Sequence, residues 1–342
     1  MRKLFAAALL ISAITLNSAP APAQNEAQRE FMAGLSLEYS PEAAPDYQKA
    51  AGHYERAAAA GSREALLALS RLKGPLAPLW RDGASWRDSL LAASRAGWPE
   101  AAFQLAQALE KNEVPREGLT PAQFYLQSAA SGYGPAALRL GEMYLSGSGN
   151  LNKDESQAAL WLTVAAENHE PSAALALGKL YYEKNPATAS RWLERSDLPE
   201  ASYLLGEIYL KDRRFIEAVS AFTFSSDQGY APAHLSLGLL NLDNEFGRRP
   251  NPREALRHLK IAAQADLPEG SYHLAQMYIK GQGTPKDTIT GAFWLSRAAA
   301  KGHAEAQSEY DKLTYNFTVG QKKRLERMIE EGFSPTMQTT VQ

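Results

Sequence analysis

The stretch LGEMYLSGSGNLNKDESQAALWL, residues 140–162, places a Gly-x-Gly loop between two segments with helical apolar periodicity. A second stretch, LAQMYIKGQGTPKDTITGAFWL at residues 274–295, repeats it almost position for position. A phosphate-binding loop usually follows a strand and carries a Lys-Ser/Thr pair after its glycines, and neither copy has that pair. Glycine does permit the positive φ angles of a tight turn. The two loops are therefore interpreted as helix-to-helix turns of a repeated unit.

The pattern A-x-x-x-L-[GAS] recovers eight such repeats along the chain. Their central leucines are Leu35, Leu69, Leu105, Leu140, Leu177, Leu205, Leu237 and Leu274. A small residue follows each leucine, and in five repeats a tyrosine stands four residues after it. Positions i, i+4 and i+8 share one face of a helix. We therefore predict that this face packs on a second helix, which the small residue allows to approach closely.

The second half of each repeat has an aromatic or large apolar residue and then paired alanines, as in Trp161-Leu162 with Ala165-Ala166. Glycine, the residue best able to end a helix in the left-handed conformation, follows several of these segments. These glycines are Gly61, Gly97, Gly132, Gly229 and Gly302. Each repeat is thus predicted to be a helix hairpin, and stacking buries faces that one hairpin cannot bury. The expected fold is all-α, a right-handed α-solenoid of about eight hairpins.

The residues L-G-x-x-Y-x-x-G-x-G, a following aspartate and a W-x-x-x-A-A-x-x-G helix resemble the Sel1-like repeat, a relative of the tetratricopeptide repeat. Repeats four and eight match well, with Asp154 and Asp287 as the aspartates. Repeats five and six lack the long glycine loop. The resemblance covers roughly residues 27–314. It implies a non-enzymatic adaptor for protein partners in the cell envelope, such as in exopolysaccharide export or peptidoglycan-linked assembly.

The first 23 residues are predicted to be a secretory signal peptide. Arg2 and Lys3 precede an apolar run from Leu4 to Leu16, and Ala21-Pro22-Ala23 supplies small residues for cleavage before Gln24. No later apolar run is long enough for a membrane span. The chain also has no cysteine, so neither disulfides nor a lipid on cysteine are available. We expect a periplasmic or secreted protein without a membrane span.

The mature chain is predicted to divide into three parts. Residues 24–314 form the repeat solenoid, residues 315–333 a C-terminal capping helix, and residues 334–342 a disordered tail. Thr318 and Gln321 form a possible capping box at the start of that helix. Leu325, Met328 and Ile329 then make an apolar stripe that covers the last repeat.

No constellation of catalytic residues is apparent in the sequence. The net charge of −2 gives no support for nucleic-acid binding. The histidines His53, His169, His234, His258, His273 and His303 do not pair at metal-ligand spacing and are interpreted as surface or packing residues. His169-Glu170 begins like a zinc motif, but Ala173 occupies the position of the second ligand. We therefore predict no catalytic residues, no metal and no cofactor.

The predicted partner-binding surface is the concave face, which the first helix of each repeat lines. Positions one before and two after the central leucine should point toward it. These residues are Gln104, Gln107, Arg139, Glu142, Ala176, Lys179, Leu204, Glu207, Ser236, Leu239, His273 and Gln276. Their mixture of amides, charges and apolar groups suits an extended segment of a partner protein. A merely solvated wall is the alternative.

A second hypothesis is a glycan-binding module. Trp80, Trp86 and Trp98 crowd around the proline-rich connection KGPLAPLWRDGASW of repeat two. If exposed, their rings could stack on the faces of sugars, which would suit a polysaccharide. Alternatively, the rings pack over an irregular N-terminal end of the repeat array.

Overall fold

The computed structural model describes residues 21–39, 46–65, 68–69, 72, 83–243 and 249–331, with the backbone alone at 21–25, 83–86 and 89. All regular elements in these ranges are helices. The chain divides into an N-terminal half that ends at Ala173 and a C-terminal half that begins at Ala174. Most of the predicted signal peptide and the whole predicted tail lie outside the described residues. The predicted cleavage point before Gln24 falls in the first turns of the first helix.

Seven helices of the N-terminal half have both ends among the described residues, and an eighth crosses the division between the halves. They are α1 (Ala21–Glu38), α2 (Tyr47–Ala59), α3 (Gly83–Arg95), α4 (Pro99–Glu110), α5 (Pro121–Ala130), α6 (Gly134–Ser146), α7 (Glu155–Glu167) and α8 (Pro171–Tyr181). The pairs α1–α2, α4–α5 and α6–α7 form antiparallel hairpins, and α5 also packs against α6. Consecutive hairpins thus stack, as the repeat pattern predicts.

The C-terminal half continues the same arrangement. Its helices are α9 (Pro186–Leu193), α10 (Pro199–Lys211), α11 (Phe215–Asp227), α12 (Ala231–Leu242), α13 (Pro252–Gln264), α14 (Pro268–Lys280), α15 (Thr288–Ala300), α16 (Ala306–Tyr315) and α17 (Val319–Glu331). The hairpins α10–α11, α12–α13 and α14–α15 stack through α11 on α12 and α13 on α14. No described helix is long and apolar enough to cross a membrane.

The small residues after the central leucines bring the two helices of a hairpin together. A Cβ atom added to Gly141 of α6 would lie 2.6 Å from Cγ of Leu162 on α7. The same close approach occurs between Gly206 and Phe222 and between Gly238 and Leu259. Because the partner side chain occupies the space of a β-carbon, glycine here is a packing requirement. This contact compensates for the roughly 1 kcal/mol that glycine costs inside a helix.

The first repeat shows that the predicted register is wrong in α1. Leu35, predicted to be its buried central leucine, is only half-buried, and Ser36 is exposed. Gly34 instead lies against the ring of Tyr54 on α2, with an added Cβ only 2.5 Å from that ring. The equivalent of Gly141 is therefore Gly34, two residues before the predicted position. Phe31 is buried one turn earlier and packs on Tyr54 at 5.6 Å between ring centroids.

The two long glycine loops have the geometry of helix-to-helix turns. Gly147 and Gly281 end α6 and α14 in the left-handed conformation, with φ angles of 71° and 73°. Asp154 and Asp287 then accept hydrogen bonds from the first backbone amides of α7 and α15. Their carboxylates satisfy amides that a helix leaves unpaired at its start.

The helix α17 lies against α15 at the end of the array. Leu325 and Met328 are buried in the same apolar cluster as Trp294, whereas Ile329, predicted to share their stripe, is 47% exposed. Thr318 and Gln321 bond each other's backbone amides, as a capping box requires. The predicted domain boundaries around this helix remain predictions.

Candidate partner-binding surface

The first helices of the hairpins carry the predicted binding residues. In the structure none of the twelve is fully buried: Glu142 and Lys179 are exposed, and the others are half-buried. They are distributed over both halves of the chain.

In the N-terminal half an open groove of about 530 Å³ lies between α4 and α6. Its walls are formed by Phe103, Gln107, Glu110, Lys111, Tyr125, Pro135, Leu138, Arg139 and Glu142. Three predicted residues, Gln107, Arg139 and Glu142, are therefore brought together in it. Gln104 is not among the lining residues, and its amide oxygen is buried without a hydrogen-bond partner among the described residues. The volume lies in the range of pockets that hold small ligands or parts of peptides.

A chain of hydrogen bonds fixes the polar end of this groove. The Tyr125 hydroxyl donates to Glu110 at 2.7 Å, and Arg139 pairs with the same carboxylate and with Glu142 at 3.0 Å. Burial alone would raise the pKa of Glu110, but the hydrogen bonds from Arg139 and Tyr125 lower it below its ordinary value. Burial beside that carboxylate raises the pKa of Tyr125. The carboxylate of Glu110 is thus charged and already engaged by its neighbours.

Two polar groups of the groove have no partner of their own. The side-chain amide of Gln107 makes no hydrogen bond, and the ammonium group of Lys111 makes neither a hydrogen bond nor an ion pair, with any residue that the structure describes. Phe103, one turn before Gln107, is held in place by Tyr125 and Tyr133 at centroid distances of 5.8 and 5.3 Å. One face of α4 therefore presents a fixed apolar ring, a free amide and a free ammonium group.

In the C-terminal half, the corresponding polar groups bond one another. The hydroxyls of Tyr203 and Tyr182 donate to Glu207 at 2.7 and 3.0 Å. Ser236 also contacts the Tyr203 hydroxyl. Lys179, predicted to face a partner, forms an ion pair with Glu200 at 2.8 Å. These contacts hold α10 to the ends of the neighbouring helices in that half.

The apolar predicted residues of this half differ in their surroundings. Leu204 packs partly against the apolar cluster around Leu205, so part of its side chain is withdrawn from the surface. Leu239 is half-buried at the corresponding position two residues after Leu237.

A similar closed network surrounds α14. The Tyr272 hydroxyl donates to Glu309 at 2.9 Å, and the amide of Gln276 pairs with the same carboxylate. The Tyr272 ring stacks on His303 at 4.1 Å and meets His273 edge-on at 5.5 Å. Burial lowers the pKa of His273. Gln276 and His273, both predicted to contact a partner, thus lie in a network that is internally satisfied.

The residue two positions before the central leucine also contributes to this surface, although it is not among the predicted residues. Phe103 and Leu138 at this position line the groove, and Tyr203 and Tyr272 occupy it in the closed networks. Aromatic or large apolar residues at a fixed repeat position were a usable signal. The glutamate that Tyr272 bonds was not, because Glu309 lies on another helix, 37 residues away.

Two histidines that are distant in sequence meet inside the α12–α13 hairpin. His234 and His258, 8% and 7% exposed, approach at 2.9 Å between their Nδ1 atoms. Arg257 donates to Nε2 of His258 at 3.0 Å, so His258 carries its proton on Nδ1 and donates it to His234. Both rings are therefore neutral packing groups. The described residues contain no cluster of three or more metal-ligating side chains.

Two of the three tryptophans in the glycan hypothesis have no described side chain. Trp80 is not among the described residues, and only the backbone of Trp86 is described, in α3. Trp98 is half-buried and directly precedes α4. Stacking of sugars on these rings stays a prediction.

Stacked helix hairpins define the class of α-solenoid repeat proteins. The sequence model of the Sel1 repeat matches residues 30–62, 134–169, 231–267 and 268–303. The chain therefore contains Sel1 repeats at these four places, and the predicted all-α solenoid is confirmed. Repeats four and eight are among the matches, and repeats one and seven match as well. Sel1-repeat proteins generally mediate protein–protein interactions and are typically non-catalytic.

The chain is similar to proteins from several bacteria. A Sel1 repeat protein from Oxalobacter formigenes has a similar structure, with a TM-score of 0.66, 19% identity, and coverage of 89% of this chain and 99% of that one. An uncharacterized protein of Neisseria meningitidis serogroup B is 29% identical over 217 residues, 59% of this chain. The chain spans only 43% of that relative's length. The structure of a protective antigen of uropathogenic Escherichia coli with an SLR fold aligns at a TM-score of 0.47 with 20% identity, covering 93% of this chain and 88% of that one.

Proposed function

We propose that this protein is a non-enzymatic adaptor that holds a partner protein on its first helices. The observation that carries the proposal is the groove between α4 and α6, where a fixed aromatic ring adjoins a free amide and a free ammonium group. A face with unsatisfied polar groups beside apolar surface gains from binding, because a partner can satisfy the first and cover the second.

The proposed setting is the bacterial periplasm. The charged start, apolar run and small residues before Gln24 support export, and the absence of cysteine argues against a lipid anchor on cysteine. The proposed role is in cell-envelope assembly, such as exopolysaccharide export or a peptidoglycan-linked machine. Mass spectrometry of the periplasmic fraction should find a mature chain that begins at Gln24. A chain that retains Met1 and remains in the cytoplasm would refute this part.

The adaptor role is tested by blocking the groove with a bulky side chain. Gln107→Trp fills the groove whatever the chemistry of the partner. Ser220→Trp places the same ring on the exposed face of the second helix α11 and serves as the control. Purified wild-type protein immobilised on resin should capture a specific protein from envelope extract, Ser220→Trp should capture as much, and Gln107→Trp at least fivefold less. Equal capture by both variants, or no specific capture, would contradict the proposal.

A further inference from the structure

The α4 side of the groove carries three chemically different groups on successive turns. Phe103, Gln107 and Lys111 stand at i, i+4 and i+8, so Phe103 and Gln107 share one face of α4 and Lys111 follows them as the C-cap residue of the helix. Leu138 and Pro135 of α6 stand opposite and add to the apolar end. The groove is therefore apolar at one end, has an amide in its middle and a cation at the other end.

Among the described charged side chains at the polar end, only Lys111 lacks an ion-pair partner. Arg139 is shared between Glu110 and Glu142, and Glu110 also accepts from Tyr125, so these charges are met inside the protein. Lys111 forms no direct ion pair among the described residues, and its ammonium group acts on neighbouring Glu110 only as a nearby charge that helps to lower its pKa. An incoming carboxylate would provide the missing counter-charge, whereas a cation would meet both Lys111 and Arg139.

The amide of Gln107 fits the backbone of an extended chain. It offers one acceptor and two donors, which is what a peptide unit needs for its N–H and C=O groups. Main-chain bonding of this kind gives affinity, while pockets for alternate side chains give specificity.

The spacing of the groups determines the spacing in the ligand. Eight helical residues from Phe103 to Lys111 span about 12 Å at 1.5 Å per residue. An extended peptide covers this length in about four residues at roughly 3.3 Å each. Because side chains of an extended chain alternate between faces, residues i and i+4 point to the same side. An apolar side chain at position i and an acidic side chain at position i+4 of a peptide can then reach the groove at the same time.

We propose that the groove between α4 and α6 binds an extended peptide segment with a large apolar residue and an acidic residue four positions apart. The apolar side chain packs between Phe103 and Leu138, the main chain bonds Gln107, and the carboxylate pairs with Lys111. The inference rests on the proposed adaptor function and specifies the chemistry of its ligand.

The probe is a phage-displayed library of random dodecapeptides, selected on immobilised wild-type protein. Enriched peptides should carry Leu, Ile, Met or Phe four positions from Asp or Glu more often than the starting library does. Synthetic copies labelled with fluorescein should bind wild-type protein with an affinity that Gln107→Ala and Lys111→Glu each lower by fivefold or more in fluorescence anisotropy. The matched controls are Gln276→Ala and Lys280→Glu, the same residues at the same repeat positions of the last hairpin, and these should bind like wild type.

The selection also separates this inference from the proposed function. Enrichment of basic peptides, another spacing, or binding that is unaffected by Lys111→Glu would overturn the inference. So would a library without enrichment. The adaptor function is judged independently by capture of a partner and its loss in Gln107→Trp.

Discussion

Gln107 and Gln276 occupy the same repeat position, two residues after Leu105 and Leu274, yet their surroundings differ. Gln276 of the C-terminal half pairs with Glu309, which also receives the Tyr272 hydroxyl. The side-chain amide of Gln107 in the N-terminal half has no hydrogen-bond partner in the described residues and faces an open groove. Repeat position alone therefore does not decide which residue can bind a partner. What decides is whether neighbouring helices have already satisfied its polar groups.

The residues before the leucines account for part of this difference. Phe103 has no hydroxyl and leaves the middle of the groove to Gln107, whereas Tyr203 and Tyr272 bring a hydroxyl that recruits a glutamate. Burial beside those glutamates raises the pKa of both tyrosines, so they remain neutral donors. The two halves thus share a scaffold and differ in the chemistry of its face.

The largest expected loss of stability comes from replacing the glycines at which the two helices of a hairpin meet in both halves. Gly141→Val in the N-terminal half and Gly238→Val in the C-terminal half should each destabilise their hairpin by about 3 kcal/mol, because a side chain would overlap Leu162 or Leu259. Urea denaturation of each variant measures the loss. Gly52→Ala, with only one distant neighbour at its β-carbon, is the control and should be nearly neutral or stabilising. If Gly141→Val were as stable as the wild-type protein, the hairpins would not be closely packed.

The histidine pair predicts that acid weakens the C-terminal half specifically. Burial and then the Arg257 guanidinium lower the pKa of His258 to about 4 and also lower that of His234; Asp227, Glu254 and Arg257 are the charges around them. Above pH 6.5 the histidine is neutral in both the folded and the unfolded protein, so its lowered pKa does not affect stability. As the pH drops from 6.5 toward 4, the unfolded chain binds the proton more readily than the folded protein, and stability falls. A shift of about 2.5 units corresponds to about 3 kcal/mol for His258.

Hydrogen exchange can locate this loss within one molecule. Between pH 7 and pH 4, the amides of α12 and α13 should lose protection relative to those of α6 and α7. The double variant His234→Phe, His258→Phe has no protonatable pair and should remove the difference. Equal loss of protection in both regions of the wild-type protein would contradict the prediction.

A smaller loss of stability is expected when the hydrogen-bonded tyrosine Tyr203 is replaced by phenylalanine, the residue found at position 103 in the open groove. Tyr203→Phe removes the hydrogen bond to Glu207 and should cost about 1 kcal/mol, since the acceptor is charged but half-buried. Phe224→Ala removes a ring that is 54% exposed on α11 and is the control for loss of aromatic surface. Thermal unfolding measures both. If Tyr203→Phe were neutral, the closed network would contribute nothing to stability.

The smallest expected effect is a difference in the free energy of unfolding between the alanine variants of Gln276 and Gln107. Gln276→Ala should lower the free energy of unfolding by about 1 kcal/mol because it leaves Glu309 with one donor fewer. Gln107→Ala should change it by less than about 0.5 kcal/mol, because no described contact is lost. Equal effects would mean that the contrast between the two faces is wrong.

The repeat pattern was sufficient to predict the fold because its signals are local. The glycines, capping aspartates and apolar periodicity act within one helix or turn, and Gly147 and Asp154 lie where the pattern puts them. The register failed in the first repeat because Leu35 satisfied the same pattern as the residues that pack. Gly34 follows Ala33, whereas the pattern requires a leucine directly before the small residue, so Gly34 gave no competing signal.

The binding surface was predictable only in part. Gln107, Arg139 and Glu142 meet in one groove, but the free or engaged state of a side chain depends on residues far away in sequence. Glu110 lies 29 residues from Arg139, and His258 lies 24 residues from His234. Periodicity predicts which face a residue occupies and contains no information about such pairings.

Photo-crosslinking at matched positions tests the central claim most directly. Because the chain has no cysteine, Lys111→Cys and Lys280→Cys each provide a unique site for a thiol-reactive photo-crosslinker. Each labelled protein is irradiated in envelope extract and its products are identified by mass spectrometry. We predict a specific protein adduct from position 111 and none from position 280. Adducts of equal yield at both positions, or an adduct at position 280 alone, would contradict a binding face in the α4–α6 groove.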